Sequence, residues 1–212
     1  MESMKEEALA APRMFRLARP LVLASHSPRR KEFLRAMGID CRVISPPEDA
    51  EPLPQAGEAP ERFAARAARA KADAVYELLG EKDTAVLGAD TVVFRDGKTL
   101  GKPDDIVSAQ AFLRELSGGE HRVRTACHLR PGTGEGVSFH GEAKVTMGAW
   151  PDAVLKAYAA TGEGLDKAGA YAVQGLGAFL VESVSGSWSA VVGLPAAETI
   201  AVLLEMGIIK AV

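Results

Sequence analysis

The stretch "LVLASHSPRRKEFLRAMG", residues 21–38, sets strand beside helix and so decides the fold class. Leu21–Ala24 is an apolar run with the length of a short buried strand. Ser27 then stands at a helix N-cap position, Pro28 at the first helical position, and Gly38 marks the helix stop just after Met37. The same stretch holds a contradiction. Arg29 and Arg30 fall in the first turn, where the helix end carries partial positive charge and unpaired N–H groups, so acidic residues are favoured there.

Each helical residue advances by about 100°. Arg30 therefore falls among Phe33, Leu34 and Met37 on the apolar side, and Arg29 flanks it. A cation on the buried side needs an anionic partner, and the helix tip seeks one as well. A phosphate gripped by guanidinium forks satisfies both. The competing reading turns both arginines to solvent or pairs them with nearby acids.

Outward from this unit, apolar runs and helical patterns alternate along the chain. "CRVI" (41–44) reads as a strand, the Pro- and acid-rich 45–60 as a loop, and 60–79 as a long helix stopped by Gly80. "TAVLGADTVVF" (84–94) is a strand or strand pair, with a hairpin turn at "RDGK" (95–98). A helix at 104–119 follows. "HRVRTACHLR" and "VSFHGEAKVTMGAW" flank "PGTGEG" as a long antiparallel hairpin. A short helix at 151–162, a strand at "AFLVESV" and a helix at 195–207 complete the pattern. The fold class is α/β with a mixed sheet, in two lobes around a central cleft. Residues 1–19 read as a poorly ordered leader without the apolar core of a signal peptide, and residues 20–212 as one domain.

A net charge of −3 argues against a protein devoted to nucleic acid, and no apolar run is long enough to span a membrane. Cys41 and Cys127 lack disulfide or zinc spacing and read as buried thiols of a reducing cytosol. The histidines, at 26, 121, 128 and 140, show no metal-ligand spacing either. His26 lies beside the candidate phosphate loop, where it either touches a ligand or faces solvent, and His121 and His128 read as strand residues. Trp150 and Trp188 read as packing groups.

Two further residues break the pattern around them. On the 60–79 helix, Arg62, Arg66, Arg69 and Asp73 share a solvated face. Phe63, Ala64, Ala67, Ala74, Val75 and Leu78 share the opposite one, with Lys71 at its centre. A mid-helix lysine there either snorkels or meets a negative charge. In "VLGADTVV", Asp90 interrupts a strand-like run although Asp is poor in strands. It marks either a tight bend or a carboxylate facing a cleft. Lys102 sits on the short loop "LGKPDD". Four cations (Arg29, Arg30, Lys71, Lys102) and one carboxylate suit attack on a phosphoanhydride, where catalysis is mostly positioning and charge stabilisation. Neither a P-loop nor a strand-borne G-x-G-x-x-G is present.

Together "LASHSPRRKEFL", "ARAKA", "GADTVV", "GKP", "LSGGEHRVRTA", "DKAGAYAVQG" and "VVGLP" resemble the Maf family of nucleoside triphosphate pyrophosphatases, once named as septum-formation proteins. The match runs from about Leu21 to the C-terminus, in the family's order. The resemblance implies a cytoplasmic enzyme dependent on Mg²⁺ or Mn²⁺ that splits a nucleoside triphosphate into monophosphate and pyrophosphate. Its fold would be akin to that of inosine triphosphate pyrophosphatases. By motif, Asp90 is the implied proton acceptor, and Ser25, Arg29, Arg30, Lys71 and Lys102 hold the substrate phosphates. "DKAGAYAVQG" points to the dTTP/UTP branch, with Arg29, Thr91 and Gln174 at the specificity positions. A homodimer follows from the family alone.

Two departures from the family pattern stand out. Ala50 occupies the place of a metal-side Glu, with Glu48, Asp49 and Glu51 adjacent; a one-residue shift makes Glu51 the substitute ligand beside Asp90. Ala190 replaces an Asn before "VVGLP". Two rival readings stay open: a 7-methyl-GTP pyrophosphatase of the sister branch, and a nucleotide-binding regulator of cell division without significant catalysis.

Overall fold

The computed structural model describes residues 13–212. In chain order the elements are β1 (Phe15–Leu17), β2 (Leu21–Ala24), α1 (Pro28–Ala36), β3 (Arg42–Ile44), α2 (Pro60–Leu79), β4 (Ala85–Arg95), β5 (Lys98–Leu100) and α3 (Ile106–Leu116). They continue with β6 (Glu120–Arg130), β7 (Val137–Met147), α4 (Asp152–Ala160), β8 (Val181–Gly186), α5 (Trp188–Val192), α6 (Ala196–Glu205) and β9 (Ile209–Ala211). Short 3₁₀ turns occupy Glu48–Ala50, Ala168–Ala170 and Gly175–Leu180.

The main sheet runs β3-β2-β4-β6-β7-β8, with β5 beside β4. β2 pairs parallel with both β3 and β4, and every other pairing in that sheet is antiparallel. β4 pairs continuously with β6 from Val86 to Phe94. On its other side it pairs with β2 only over Ala85–Gly88 and with β5 only over Val93–Arg95. Residues 89–92 of β4 therefore face a gap between two neighbours. That gap divides the molecule. One hydrophobic cluster gathers Leu23, Leu34, Leu87, Ala89, Leu129 and Leu203. Another gathers Val93, Leu113, Val123, Val145, Leu155 and Leu180. The long strands β4, β6 and β7 run through both, so the two lobes share one sheet.

Several expectations are corrected. β4 is a single strand through Asp90, not two strands about a bend. Of the expected leader, residues 1–12 lie outside the described residues, but Phe15–Leu17 forms β1, antiparallel to β9. Neither three-residue strand has enough sequence to show a period, and α5 has only five residues. "AFLVESV" is strand only from Val181 onward, its first residues closing a 3₁₀ turn. Both cysteines are free thiols as expected, but Cys41 is only half-buried. Trp150 packs edge-on against Phe179, and Trp188 against Phe33.

On α2 the buried stripe is Pro60, Ala64, Ala67, Ala68, Ala72 and Val75. Leu78, expected on it, is 65% exposed where the helix overruns the sheet. The alanines let α2 lie close to β4. A Cβ at Gly88 would stand 2.3 Å from the Ala68 carbonyl oxygen, so only glycine fits there. This close approach brings Lys71 alongside β4.

His121, 2% exposed on β6, is held by its Nε2 to the Tyr171 hydroxyl at 2.7 Å, while its Nδ1 has no partner. Burial pushes the ring pKa down to about 4, helped by Arg95 and opposed by Glu120. The folded state thus binds fewer protons than the unfolded chain between about pH 4 and the ordinary 6.5. Its contribution to stability is complete above that window and is lost as pH falls through it, by about 3 kcal/mol in all. Urea midpoints at pH 7 and pH 4.5 should therefore fall more steeply for the native chain than for His121→Gln. Equal slopes would remove His121 from the acid response.

Candidate active site

Strand pairing opens a cavity of about 1040 Å³ beside the free stretch of β4. Ser25, Arg29, Arg30, Glu51, Lys71, Asp90, Thr91, Lys102 and Gln174 all line it. Every candidate residue from the sequence thus reaches one space, although they come from six separate segments. The cavity sits at the C-terminal end of the parallel strand β2, where the strand order switches, with β3 on one side of β2 and β4 on the other. This is the position that open α/β sheets reserve for ligands.

Side-chain alternation places Asp90 on the face of β4 covered by α2, and Thr91 on the other. Asp90 is 7% exposed. Its Oδ1 accepts from Lys71 Nζ at 2.7 Å, and the same ammonium lies 3.0 Å from Glu51 Oε2. The inward lysine is therefore matched by two carboxylates of the chain itself. Of the two readings of this inward lysine, the structure takes the second: it meets a negative charge, supplied here by the chain itself. Burial alone would raise the Glu51 carboxyl, but Lys71, Lys102 and Arg30 outweigh it and hold it below the usual carboxylate value.

Arg30 is different. Its Nε donates to the Gly193 carbonyl at 2.7 Å, Nη1 to Ser25 Oγ at 3.0 Å and Nη2 to Thr91 Oγ1 at 3.0 Å. All three acceptors are neutral, and among the described residues no carboxylate contacts the guanidinium. Burial lowers its pKa, against the fields of Asp90 and Glu51. A desolvated cation without a contacting counter-ion is the costly arrangement.

The hydrogen-bond directions around Arg30 can be assigned by counting protons. Thr125 Oγ1 donates to the Ala190 carbonyl at 2.6 Å and so must accept from Thr91 Oγ1 at 2.8 Å. Thr91 in turn accepts from Arg30, which leaves its hydroxyl no proton for a ligand. Ser25 Oγ accepts from Arg30 and from the Ser27 amide at 3.1 Å, so its own proton is free to be donated into the cavity. Ser27 takes the N-cap position, but its side chain caps nothing and no acid lies in the first turn of α1. Arg29 and Lys102 line the cavity without hydrogen bonds or ion pairs among the described residues, and Lys102 is exposed. Ala190, in place of an amide, is fully buried.

Glu48, Asp49 and Ala50 form one 3₁₀ turn outside the cavity lining, and of the acids in that loop only Glu51 reaches inside. Among the described residues no group of three or more His, Cys, Asp and Glu side chains is placed to hold a metal. His26 lines the cavity, whereas His121, His128 and His140 do not. Sequence reading passed over Glu163, Asp166 and Lys167, which line the far wall. They lie in an irregular segment without periodicity; the quoted "DKAG" took in Asp166 and Lys167 but not Glu163. The Lys167 ammonium is paired with Asp166 and donates to the Glu163 carbonyl.

Fold and site together define a two-lobed mixed α/β protein whose cleft gathers cations about one buried carboxylate. Residues 20–206 match the family described as Maf-like protein, and the chain belongs to that family. It is 50% identical over 195 residues to a dTTP/UTP pyrophosphatase of Nitratidesulfovibrio vulgaris, covering 92% of this chain and 91% of that protein. A dTTP/UTP pyrophosphatase of Oleidesulfovibrio alaskensis is 49% identical over 192 residues, covering 90% of this chain and 86% of that one. Among solved structures, a HAM1 protein from Coxiella burnetii aligns with TM-score 0.41 at 18% identity, over 62% of this chain and 74% of that one. Among the described residues no helix is long and apolar enough to cross a membrane.

Proposed function

We propose that the chain hydrolyses dTTP and UTP to the monophosphate and pyrophosphate. The observation that carries this reading is Arg30: a buried guanidinium held by neutral acceptors, at the tip of an uncapped helix, across one cavity from a buried carboxylate. A polyphosphate supplies the missing negative charge. The branch assignment rests on Gln174, Thr91 and Arg29 and on the names of the relatives.

In this reading the α1 tip, the Ser25 hydroxyl, Arg29, Arg30 and Lys102 receive phosphate oxygens. Lys71 exchanges part of its contact with Asp90 and Glu51 for the triphosphate. Asp90 accepts the proton of a water attacking the α-phosphorus in line, and pyrophosphate departs against the cations. Thr91 acts by fixing the guanidinium of Arg30 rather than by touching the base. The Gln174 carboxamide offers a donor and an acceptor to the O4/N3 edge of the pyrimidine.

The site suits a hard divalent cation. Asp90 and Glu51 present carboxylate oxygens to a single ammonium, and Mg²⁺ is commonly held by one or two carboxylates together with substrate phosphates. Bound there, the cation would neutralise phosphate charge as it develops. Cytoplasmic location and a homodimer remain parts of the proposal drawn from family likeness.

The test is pyrophosphate release from dTTP, UTP and 7-methyl-GTP, with Mg²⁺ or Mn²⁺ and again with excess chelator. Turnover of dTTP and UTP should require metal and exceed that of 7-methyl-GTP at least about tenfold, the discrimination that one well-made polar contact supports. A preference for the methylated purine would move the chain to the sister branch. Tight binding without pyrophosphate release would make it a nucleotide sensor.

A further inference from the structure

Gln174 is the N-cap residue of the 3₁₀ turn Gly175–Leu180, yet its side chain makes no capping hydrogen bond. The first N–H groups of such a turn have no partner within it and need an acceptor from elsewhere. Here a remote residue takes them. The Leu176 amide donates to Glu163 Oε1 at 2.9 Å, and the Gly177 amide to Glu163 Oε2 at 2.8 Å. The Tyr158 hydroxyl also donates to Oε2, at 2.9 Å, and itself accepts from the Ala172 amide at 3.1 Å.

The backbone is built around this carboxylate. Gly175 has φ +76°, and a Cβ there would stand 2.4 Å from Glu163 Oε1. A Cβ at Gly177 would stand 2.6 Å from the Tyr158 hydroxyl. Partial burial would raise the Glu163 carboxyl, but the Leu176 amide, Tyr158, the Gly177 amide and Lys167 outweigh it and keep it ionised. Gln174 meanwhile lines the cavity, exposed, with no hydrogen bond to its carboxamide among the described residues.

We propose that Glu163 is a positioning residue for base recognition: it caps the 175–180 turn in place of Gln174, which frees the Gln174 carboxamide for the ligand and fixes where it stands. This rests on the reading of Gln174 as the group that meets the base. Three donors converge on the carboxylate, and only an ionised acid has acceptors for all of them. Glu163→Gln keeps the shape but turns an NH₂ group against a backbone N–H, whichever way the amide lies.

The experiment compares dTTP hydrolysis with inhibition by inorganic tripolyphosphate, which has no base. In Glu163→Gln the KM for dTTP should rise about tenfold with kcat within about twofold, while tripolyphosphate inhibits as in the native chain. Gly175→Ala, which drives a Cβ against the same carboxylate, should give the same split should the first variant fold poorly. Gln174→Ala should raise the dTTP KM by itself, and adding Glu163→Gln to it should change little further. Equal weakening of dTTP and tripolyphosphate, or an effect that adds in full to that of Gln174→Ala, would overturn the proposal. An unchanged KM in Glu163→Gln beside a raised one in Gln174→Ala would reject Glu163 alone. An unchanged KM in Gln174→Ala would reject the reading of Gln174, and the proposal with it.

Discussion

Asp90→Asn should bind dTTP at least as tightly as the native chain when no divalent metal is present, and with metal should release pyrophosphate at least about a hundredfold more slowly, the usual cost of removing a general base. The substitution is nearly isosteric. Asn Oδ1 can still accept from Lys71, which keeps its second partner in Glu51. The backbone stays within β4, paired to β6 opposite Ala126. What disappears is one negative charge and, in the proposed reaction, the proton acceptor. Without divalent metal, losing that charge beside a triphosphate removes a repulsion, so affinity should hold or improve. Single-turnover pyrophosphate release and equilibrium binding separate the two effects. Turnover close to native would take Asp90 out of the chemistry.

Arg30→Lys should weaken triphosphate binding about tenfold or more and lower folding stability by about 2 kcal/mol, although it conserves the charge. The planar fork of Arg30 joins three elements of structure: the end of β2 at Ser25, β4 at Thr91 and the turn after α5 at Gly193. An ammonium is a compact donor and cannot span three acceptors held in that plane. Gly193 O and Thr91 Oγ1 would lose their donor, and the Thr91 hydroxyl would no longer be fixed in its orientation towards Thr125. Tripolyphosphate inhibition and urea midpoints read the two losses separately. A lysine variant that binds like the native chain would show that charge alone suffices and that the fork is dispensable.

Much of this was legible in the residues. The strand–helix unit at 21–38, the helix at 60–79 and the long hairpin are each set by local chemistry: apolar runs, N-terminal prolines and glycine stops. Lys71 and Asp90 stood out because each violates the preference of its own element, and both proved to line one cavity. Their meaning was less legible. A lysine on an inward face signals some anion, and the pattern cannot say whether that anion is a ligand or Asp90, nineteen residues further along. Glu163 gave no signal, since it lies in an irregular loop and its partners are backbone N–H groups, which every residue but proline carries.

By itself, then, the sequence determined the α/β class, the family, and a set of charged residues that line one cavity. These follow from local propensity and from motifs, information that lies within a few residues along the chain. Only the tertiary structure decided that β4 runs unbroken through Asp90 with one flank unpaired between β2 and β5, that Lys71 rests on two carboxylates while Arg30 rests on none, and that Glu163 does the capping for Gln174. The physical reason is that hydrogen-bond and charge balance is settled between atoms close in space, whatever their separation in the chain.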